Sequence, residues 1–470
     1  MDYSNKRVSP KKLIEEGLCI GCGCCVALSG IPEAKIGFDR YGQLIPKGPE
    51  EWLNEPDERF NKTCPFSPVS QSENELAQKI FSADSLYCDA SGYFQKAFVG
   101  SVAEQDFRLQ GSSGGMVSWM ATELLKKGLI DGVAHVVAVK EQHEPGERFF
   151  RYRISRTEQE VREGAKSRYY PTDLSEVLQI IRSQPGRYAV VGIPCFIKAI
   201  QLLRQEDPLF KERIIYTLGL FCGHMKSSRF IESMATQMNV PVDLIQEIDF
   251  RYKNPDRPAN WYNTMFTLKD GTKVNKDWWH LVDGDWGAGF FMNSACNYCD
   301  DVTAETADIS FGDAWVEPYS SEGMGNNVVV TRSLEIEQMI AEGIKEKRLH
   351  LDAVNGEFVG DTQAAGLRQR REGLAYRLSH ARMKEMLHKR VAPGAKNLSF
   401  KRKLIYRMRY FISKWSHRIF WVSSKLNFPQ LYIIWAKMSV VIYDGLTYQR
   451  GIFGKLVKMI LRHSKHPPEN

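Results

Sequence analysis

Short apolar runs, each followed by helical spacing, dominate the middle of the chain. In RLQGSSGGMVSWMATELLKKGL a glycine-rich loop precedes a helical pattern, and VAHVVAV follows as a strand. RYAVVGIPCFIKAIQLLRQ repeats the arrangement, with AVVG as strand and FIKAIQLL as helix. RIIYTLGLFCG is a third apolar run and ends at a cysteine, while TADISFGDAW alternates apolar and polar residues and reads as a strand before a turn. This alternation over residues 95–355 predicts an α/β (α+β) fold. Residues 1–75 form a cysteine-rich opening that closes on CPFSPVSQS, 76–94 read as a connector, and 356–470 read as a mainly helical tail. The chain shows no repeat of fixed period and no low-complexity segment.

Composition narrows the class. A length of 470 residues allows two or three domains, and 43% hydrophobic against 25% charged residues is ordinary for a soluble protein. The opening MDYSNKRVSPKK carries no secretory pattern, and no run of 18 uncharged apolar residues predicts a spanning helix. The expected location is therefore cytoplasmic, where thiols stay reduced. There, ten cysteines read as ligands or redox groups rather than disulfides. The charge is unevenly placed: residues 396–470 carry 15 Lys or Arg against Asp444 and Glu469, which leaves the first 395 residues mildly acidic. A basic tail of this kind expects an anionic partner.

The stretch LCIGCGCCV sharpens the chemistry. Cys19, Cys22 and Cys25 keep the C-x-x-C-x-x-C spacing that grips three irons of a cubane. Ser29 stands where a bacterial ferredoxin has its next cysteine, but Cys64-Pro65 downstream supplies a Cys-Pro, so Cys64 is the expected fourth ligand. Cys24 alternates with these and is expected to point away. Zinc also accepts four cysteines, although it usually takes paired knuckles rather than a triple in series. A second group consists of Cys195, Cys222, Cys296 and Cys299. Cys195 and Cys222 fall at the carboxyl ends of strands, where open α/β sheets gather ligands. Four such thiols can converge on a second cluster, or Cys195 and Cys222 can be small buried apolar residues. Cys88 has no partner pattern and reads as structural.

Gly111, Ser112, Ser113, Gly114 and Gly115 form a loop whose bare N–H groups and following helix suit a phosphate, but such a loop can equally let a helix pack closely. Lys166, Ser167, Arg168 and Tyr169 lie in AKSRYYP, a mixture that suits an anionic, aromatic ligand, with solvated charges as the plain alternative. His224 and Asp313 stand near the expected centre by motif, and neither is distinguished as an acid or base. No catalytic residue is assigned.

In order, CIGCGCC, QGSSGGMVSWMATELLKKGLIDGV, KSRY, VGIPCFIKAI, GLFCGH and CNYCDDVTAETADISFGDAW resemble the coenzyme F420 hydrogenase/dehydrogenase β-subunit family over about residues 15–355. The resemblance implies a ferredoxin-like [4Fe–4S] module at 1–75, the family's N-terminal flavin-binding part at 95–175, and its C-terminal α/β part at 176–355. It implies FAD beside one or two [4Fe–4S] clusters. The family's G-S-S-G-G falls on 111–115, its K-S-[KR]-Y on 166–169, and its G-x-P-C on Gly192, Pro194 and Cys195. Its C-x-x-C-x-D is matched in part by Cys296, Cys299 and Asp301. The implied activity is a flavin- and iron–sulfur-dependent oxidoreductase linking a two-electron hydride carrier, F420 or NAD(P)H, to one-electron clusters and a redox partner protein. Relatives also occur in polysaccharide gene neighbourhoods, so a sugar-polymer pathway is one implied setting.

Two other classes stay open: a non-catalytic electron-transfer subunit serving a separate enzyme, and a zinc-stabilised binding protein. The tail, KRKLIYRMRYFISKWSHRIFWVSSKL, mixes cations with aromatics at near-helical spacing. It fits a peripheral contact with an anionic membrane surface, or a helical cap on the protein's own body. No recognition motif for nucleic acid accompanies the charge.

Overall fold

The apolar runs of the central region pair into a single large sheet. In the computed structural model, which describes residues 6–83, 85–139, 148–381, 386–449 and 454–455, strands are numbered along the chain. Two hairpins come first: β1 (Lys35–Phe38) with β2 (Leu44–Lys47), and β3 (Leu86–Cys88) with β4 (Gly92–Phe94). The large sheet is built from β5 (Lys96–Val102), β6 (Gly132–Ala138), β7 (Phe150–Ser155), β8 (Tyr188–Gly192) and β9 (Ile214–Leu220). A separate antiparallel sheet holds β10 (Ile245–Asp249), β11 (Asn263–Leu268) and β12 (Lys273–Asp277). The chain then returns to the large sheet with β13 (Ile309–Asp313), β14 (Asn327–Thr331) and β15 (Leu349–Val354).

The order across the large sheet is β15-β5-β14-β13-β9-β8-β6-β7. The four strands β13, β9, β8 and β6 are parallel, and the flanking pairs are antiparallel. The fold is therefore mixed α/β. Because β5 pairs with β14 and β15, segments far apart in sequence build one sheet, and its two ends cannot form independently.

Alternation along the inner strands assigns the two faces. Ala134, Tyr188 and Val190 face the helices Ser175–Ser183 and Pro194–Glu206, in one core with the N-terminal cysteine module. Val133, Ala189 and Val191 face the helices Met116–Lys126 and Leu334–Lys345. A third core packs the β10–β12 sheet against the helices Phe400–Lys425 and Pro429–Tyr448. Part of the tail is thus a helical cap on the protein's own body. Its last residues, 456–470, lie outside the described residues.

Phe196 opens the helix that joins the sheet to the cysteine module. It is almost fully buried and stacks on Tyr152 with ring centroids 6.3 Å apart. Phe196→Ala leaves a cavity between the two and is expected to cost about 3–5 kcal/mol. Denaturant unfolding under reducing, anaerobic conditions measures it.

Candidate functional site: two cysteine quartets and a cationic pocket

The first quartet is assembled by tight turns. Gly21 and Gly23 take the left-handed conformation, with φ of +71° and +84°. A Cβ on Gly21 would stand 2.4 Å from the Leu44 carbonyl oxygen. The loop therefore lies flat against β2, and the Leu174 N–H donates to the Cys22 carbonyl at 2.8 Å to seat it on the sheet domain. Cys19, Cys22 and Cys25 line one apolar cavity together with Cys64, which follows the helix Glu58–Thr63. Phe60, Phe66, Pro10, Leu13 and Ile36 complete the wall.

Cys24 departs from the expectation that it points away. Its side chain lines the same cavity and hydrogen-bonds with the Cys22 thiol, which lowers the Cys22 pKa. The other thiols move upward. Burial pushes Cys64 up to about 12 and raises Cys19 and Cys25, and the neighbouring thiols add repulsion. Cys88 lies apart, packed where a Cβ on Gly356 would meet it.

The second quartet draws on three places in the chain. Gly192 and Pro194 shape the turn from β8 into the helix Pro194–Glu206, which delivers Cys195 in its first turn. Cys222 stands two residues beyond β9, and Cys296 and Cys299 come from the 3₁₀ turn Ser294–Tyr298 and its end. Burial raises all four thiols. Each of the other three thiols raises Cys195 further by repulsion, and so does Cys22 of the first quartet. The two quartets are therefore immediate neighbours in one core.

A buried guanidinium serves the second quartet. Arg370, from the helix Ala364–Arg370, donates to the carbonyls of Cys296 and Gly223, and its charge interacts with all four thiols. The Met225 N–H donates to Cys296 Sγ at 3.4 Å. On the first quartet's side, Lys198 is fully buried, pairs with Glu73 at 3.3 Å and favours the Cys64 thiolate.

Among the described residues, no group of three or more His, Cys, Asp or Glu side chains is drawn together tightly enough to hold a metal ion. Zinc would draw four sulfurs to about 2.3 Å from one centre, whereas a cubane spreads them over its corners. The donor set, the apolar walls and the nearby fixed cations suit iron–sulfur clusters. Cys19, Cys22, Cys25 and Cys64 share one cavity wall, and Cys222, Cys296 and Cys299 act electrostatically on Cys195.

The glycine-rich loop is only partly as expected. The helix that follows it is not bare, because the Met116 N–H donates to Asn327 Oδ1 at 3.1 Å. Gly114 and Gly115 are pressed against Gly100, Asn327 and Phe107, where any Cβ would clash, so Gly111–Gly115 first serves close packing. Ser112 nonetheless reaches a second cavity, lined also by Arg251, Tyr252, Lys253, Trp261 and Tyr262. Ser112 Oγ accepts from the Ser167 N–H at 2.8 Å. Lys166 pairs with Asp249 at 3.0 Å.

Of the other expected ligands, Arg168 is half-buried over Phe150 and donates to the Ile248 carbonyl, and Tyr169 packs among Phe250, Tyr262, Trp278 and Trp286. Neither they nor Gly192 and Pro194 line the cavity. Asp313 is paired with Arg251 at 2.9 Å. Lys253 donates to the Ser113 carbonyl, and burial, then Lys166, Arg251 and Arg108, depress its pKa to about 7.

Packed rings connect pocket and quartet. His224, two residues beyond Cys222, stacks on Trp286 with centroids 4.0 Å apart. Trp286 lies 4.9 Å from Tyr169, which in turn stacks on Tyr262 of the pocket at 6.4 Å. Both His224 ring nitrogens are buried without a hydrogen-bond partner, and burial and nearby cations lower its pKa strongly. Sequence reasoning missed Arg251, Lys253, Trp286 and Arg370. FRYKNPDRPANWYN shows the same mixture of cations and aromatics as KSRY, but nothing local marks Arg370.

Comparison with known proteins gives two family matches. The family model for the coenzyme F420 hydrogenase/dehydrogenase β subunit matches by its N-terminal part over residues 97–179 and by its C-terminal part over residues 186–357. A coenzyme F420-dependent sulfite reductase of Methanocaldococcus jannaschii is 21% identical over 315 residues. That stretch covers 64% of this chain and 43% of the relative, so the chain spans less than half the length of the curated relative it matches. A chain of the F420-reducing [NiFe] hydrogenase complex from Methanosarcina barkeri, solved with xenon derivatization, aligns at 13% identity with a TM-score of 0.49. The alignment covers 65% of this chain and 99% of that one.

Gly21→Ala forces the cysteine loop off β2. Iron analysis after anaerobic purification is expected to show roughly half the wild-type content, about four irons lost per chain, with the second quartet still loaded. Full iron content in this variant would contradict the seating described.

Proposed function

The chain belongs to the coenzyme F420 hydrogenase/dehydrogenase β-subunit family, and we propose that it is an F420-linked oxidoreductase carrying a flavin, FAD, and two [4Fe–4S] clusters. When bound, a flavin exchanges electrons in pairs as hydride or singly, whereas iron–sulfur clusters exchange them singly. The observation that carries this reading is the placement of eight thiols as two adjoining quartets, next to a pocket lined by cations and aromatic rings.

The chain's residues have distinct tasks in this reading. Lys253 attracts an anionic ligand, Arg251 and Lys166 stand beside it already paired with Asp313 and Asp249, and Ser112 offers a hydroxyl. Tyr262 and Trp261 give flat apolar surface for a ring system. Trp286, His224 and Tyr169 hold the pocket and the second quartet in fixed register. Arg370 favours the thiolate form of the inner quartet, and Lys198 that of the outer one. The first quartet, carried by the small N-terminal module, serves as the outer relay toward a redox partner protein. F420 is favoured over NAD(P)H as hydride carrier because both the family description and the curated relative name it.

A second reading, an electron-transfer subunit for a separate enzyme, is favoured by the length of the relative, most of which lies beyond the matched stretch.

Anaerobically purified protein is expected to hold about eight irons with matching acid-labile sulfide, and one flavin. Cys64→Ser and Cys299→Ser are each expected to lose about half of the iron. Zinc in place of iron, or the absence of flavin absorbance, overturns the proposal. Reduction by F420H2 of the protein alone supports the enzyme, and turnover only with an added protein supports the subunit.

Protonated Lys253 favours an anion, so FAD affinity is expected to be highest below about pH 7. It should weaken as pH rises through that value, by at most about tenfold per unit. Lys253→Met is expected to flatten this dependence, and fluorescence titration of flavin-depleted protein reads it.

A further inference from the structure

The helices Phe400–Lys425 and Pro429–Tyr448 form an antiparallel hairpin, with Phe420 5.2 Å from Tyr432 and Phe411 6.3 Å from Trp435 between ring centroids. One face is the cap already described: Ile405, Ile412, Phe420, Tyr432, Ala436 and Tyr443 are buried in the third core. The opposite face carries large apolar side chains in the open. Phe411, Trp415 and Val422 recur along the first helix, and Ile434, Met438 and Val441 along the second. The last three are each more than half exposed. Phe411 lies against Trp415 on its own helix and against half-buried Trp435, the neighbour of Ile434, on the other. Leu426 and Phe428 extend them to the hairpin tip. Isolated exposed apolar residues are ordinary, but a contiguous strip along two helices marks an interaction surface.

The charge around the strip selects the partner. Between residues 400 and 448 the chain has nine Lys or Arg and a single acid, Asp444. Lys414, Lys425 and Lys437 are exposed beside the apolar stripes and make no ion pair with any described residue. Arg418 lies against the Trp415 ring. Neither helix is long and apolar enough to cross a membrane. Aromatic and aliphatic side chains rimmed by unpaired cations, on helices that cannot span, match the in-plane binding of an anionic bilayer.

We propose that this hairpin face docks the protein on the surface of an anionic lipid membrane, with Phe411, Trp415, Ile434 and Met438 entering the headgroup boundary and Lys414, Lys425 and Lys437 meeting lipid phosphates. This is independent of the redox reading, since it uses no residue of the quartets or the pocket.

Cofactor-loaded full chain, purified anaerobically, is to be sedimented with vesicles of phosphatidylcholine alone or with added phosphatidylglycerol. Binding to the anionic vesicles and not to the neutral ones is expected, and it should weaken with salt. Lys414→Glu with Lys437→Glu is expected to reduce the partition coefficient more than tenfold, since each cation near such a surface contributes about fivefold. Trp415→Ser with Met438→Ser is expected to reduce it without changing the salt dependence. Unchanged iron content in both pairs shows that the body is intact; these positions are exposed, so folding is spared. Failure to sediment with anionic vesicles, partition unchanged in both pairs, or capture of the face by an acidic protein without vesicle binding overturns the proposal.

Discussion

Eight thiols, four buried and four half-buried, gathered in and around one apolar core impose the main constraint on this protein. A thiol in such surroundings resists ionisation, and seven of the eight are pushed upward by burial or by one another. Bringing them together is useful only if positive charge arrives to hold the thiolates. Part of that charge is built in, as Arg370 beside the inner quartet and Lys198 toward the outer one. On the proposed function, a bound iron–sulfur core supplies the rest. The core that seats the quartets also joins the N-terminal module to the sheet, so folding and cofactor loading are expected to be coupled.

The sheet makes this arrangement possible by its connectivity. Its parallel centre aims β8 and β9 so that Cys195 and Cys222 emerge at the same end, and the 3₁₀ turn before β13 adds Cys296 and Cys299. The Gly21–Gly23 turn then folds the first quartet down onto the helix Ser175–Ser183, and the Leu174–Cys22 hydrogen bond fixes it there. On the other side, the run from His224 through Trp286 and Tyr169 to Tyr262 carries the same rigidity to the Ser112 pocket. A run of packed rings thus joins the pocket to the segment just past Cys222.

The tail answers a different demand. Its buried face completes the core around the β10–β12 sheet, and His417, wedged against the Met292 carbonyl and Ser227, ties the first long helix to the loop that follows Cys222. Cap and exposed surface are therefore two faces of one hairpin rather than alternatives.

Local spacing made some of this legible in advance. The C-x-x-C-x-x-C triple, the lone Cys-Pro at 64, and the strand–turn–helix units around Gly192 and Met116 are short-range patterns whose geometry follows from neighbours in sequence. The basic, amphipathic character of residues 400–448 was legible for the same reason. The sequence could not show that Cys24 turns into the cavity, that Asn327 caps the helix after the glycine-rich loop, or that Arg168 is spent on Phe150 rather than on a ligand. Nor could it single out Arg251, Lys253 and Arg370. Most of these depend on partners distant in sequence, 211 residues apart for Met116 and Asn327, and only the closing of the sheet decides which charges end beside which thiols.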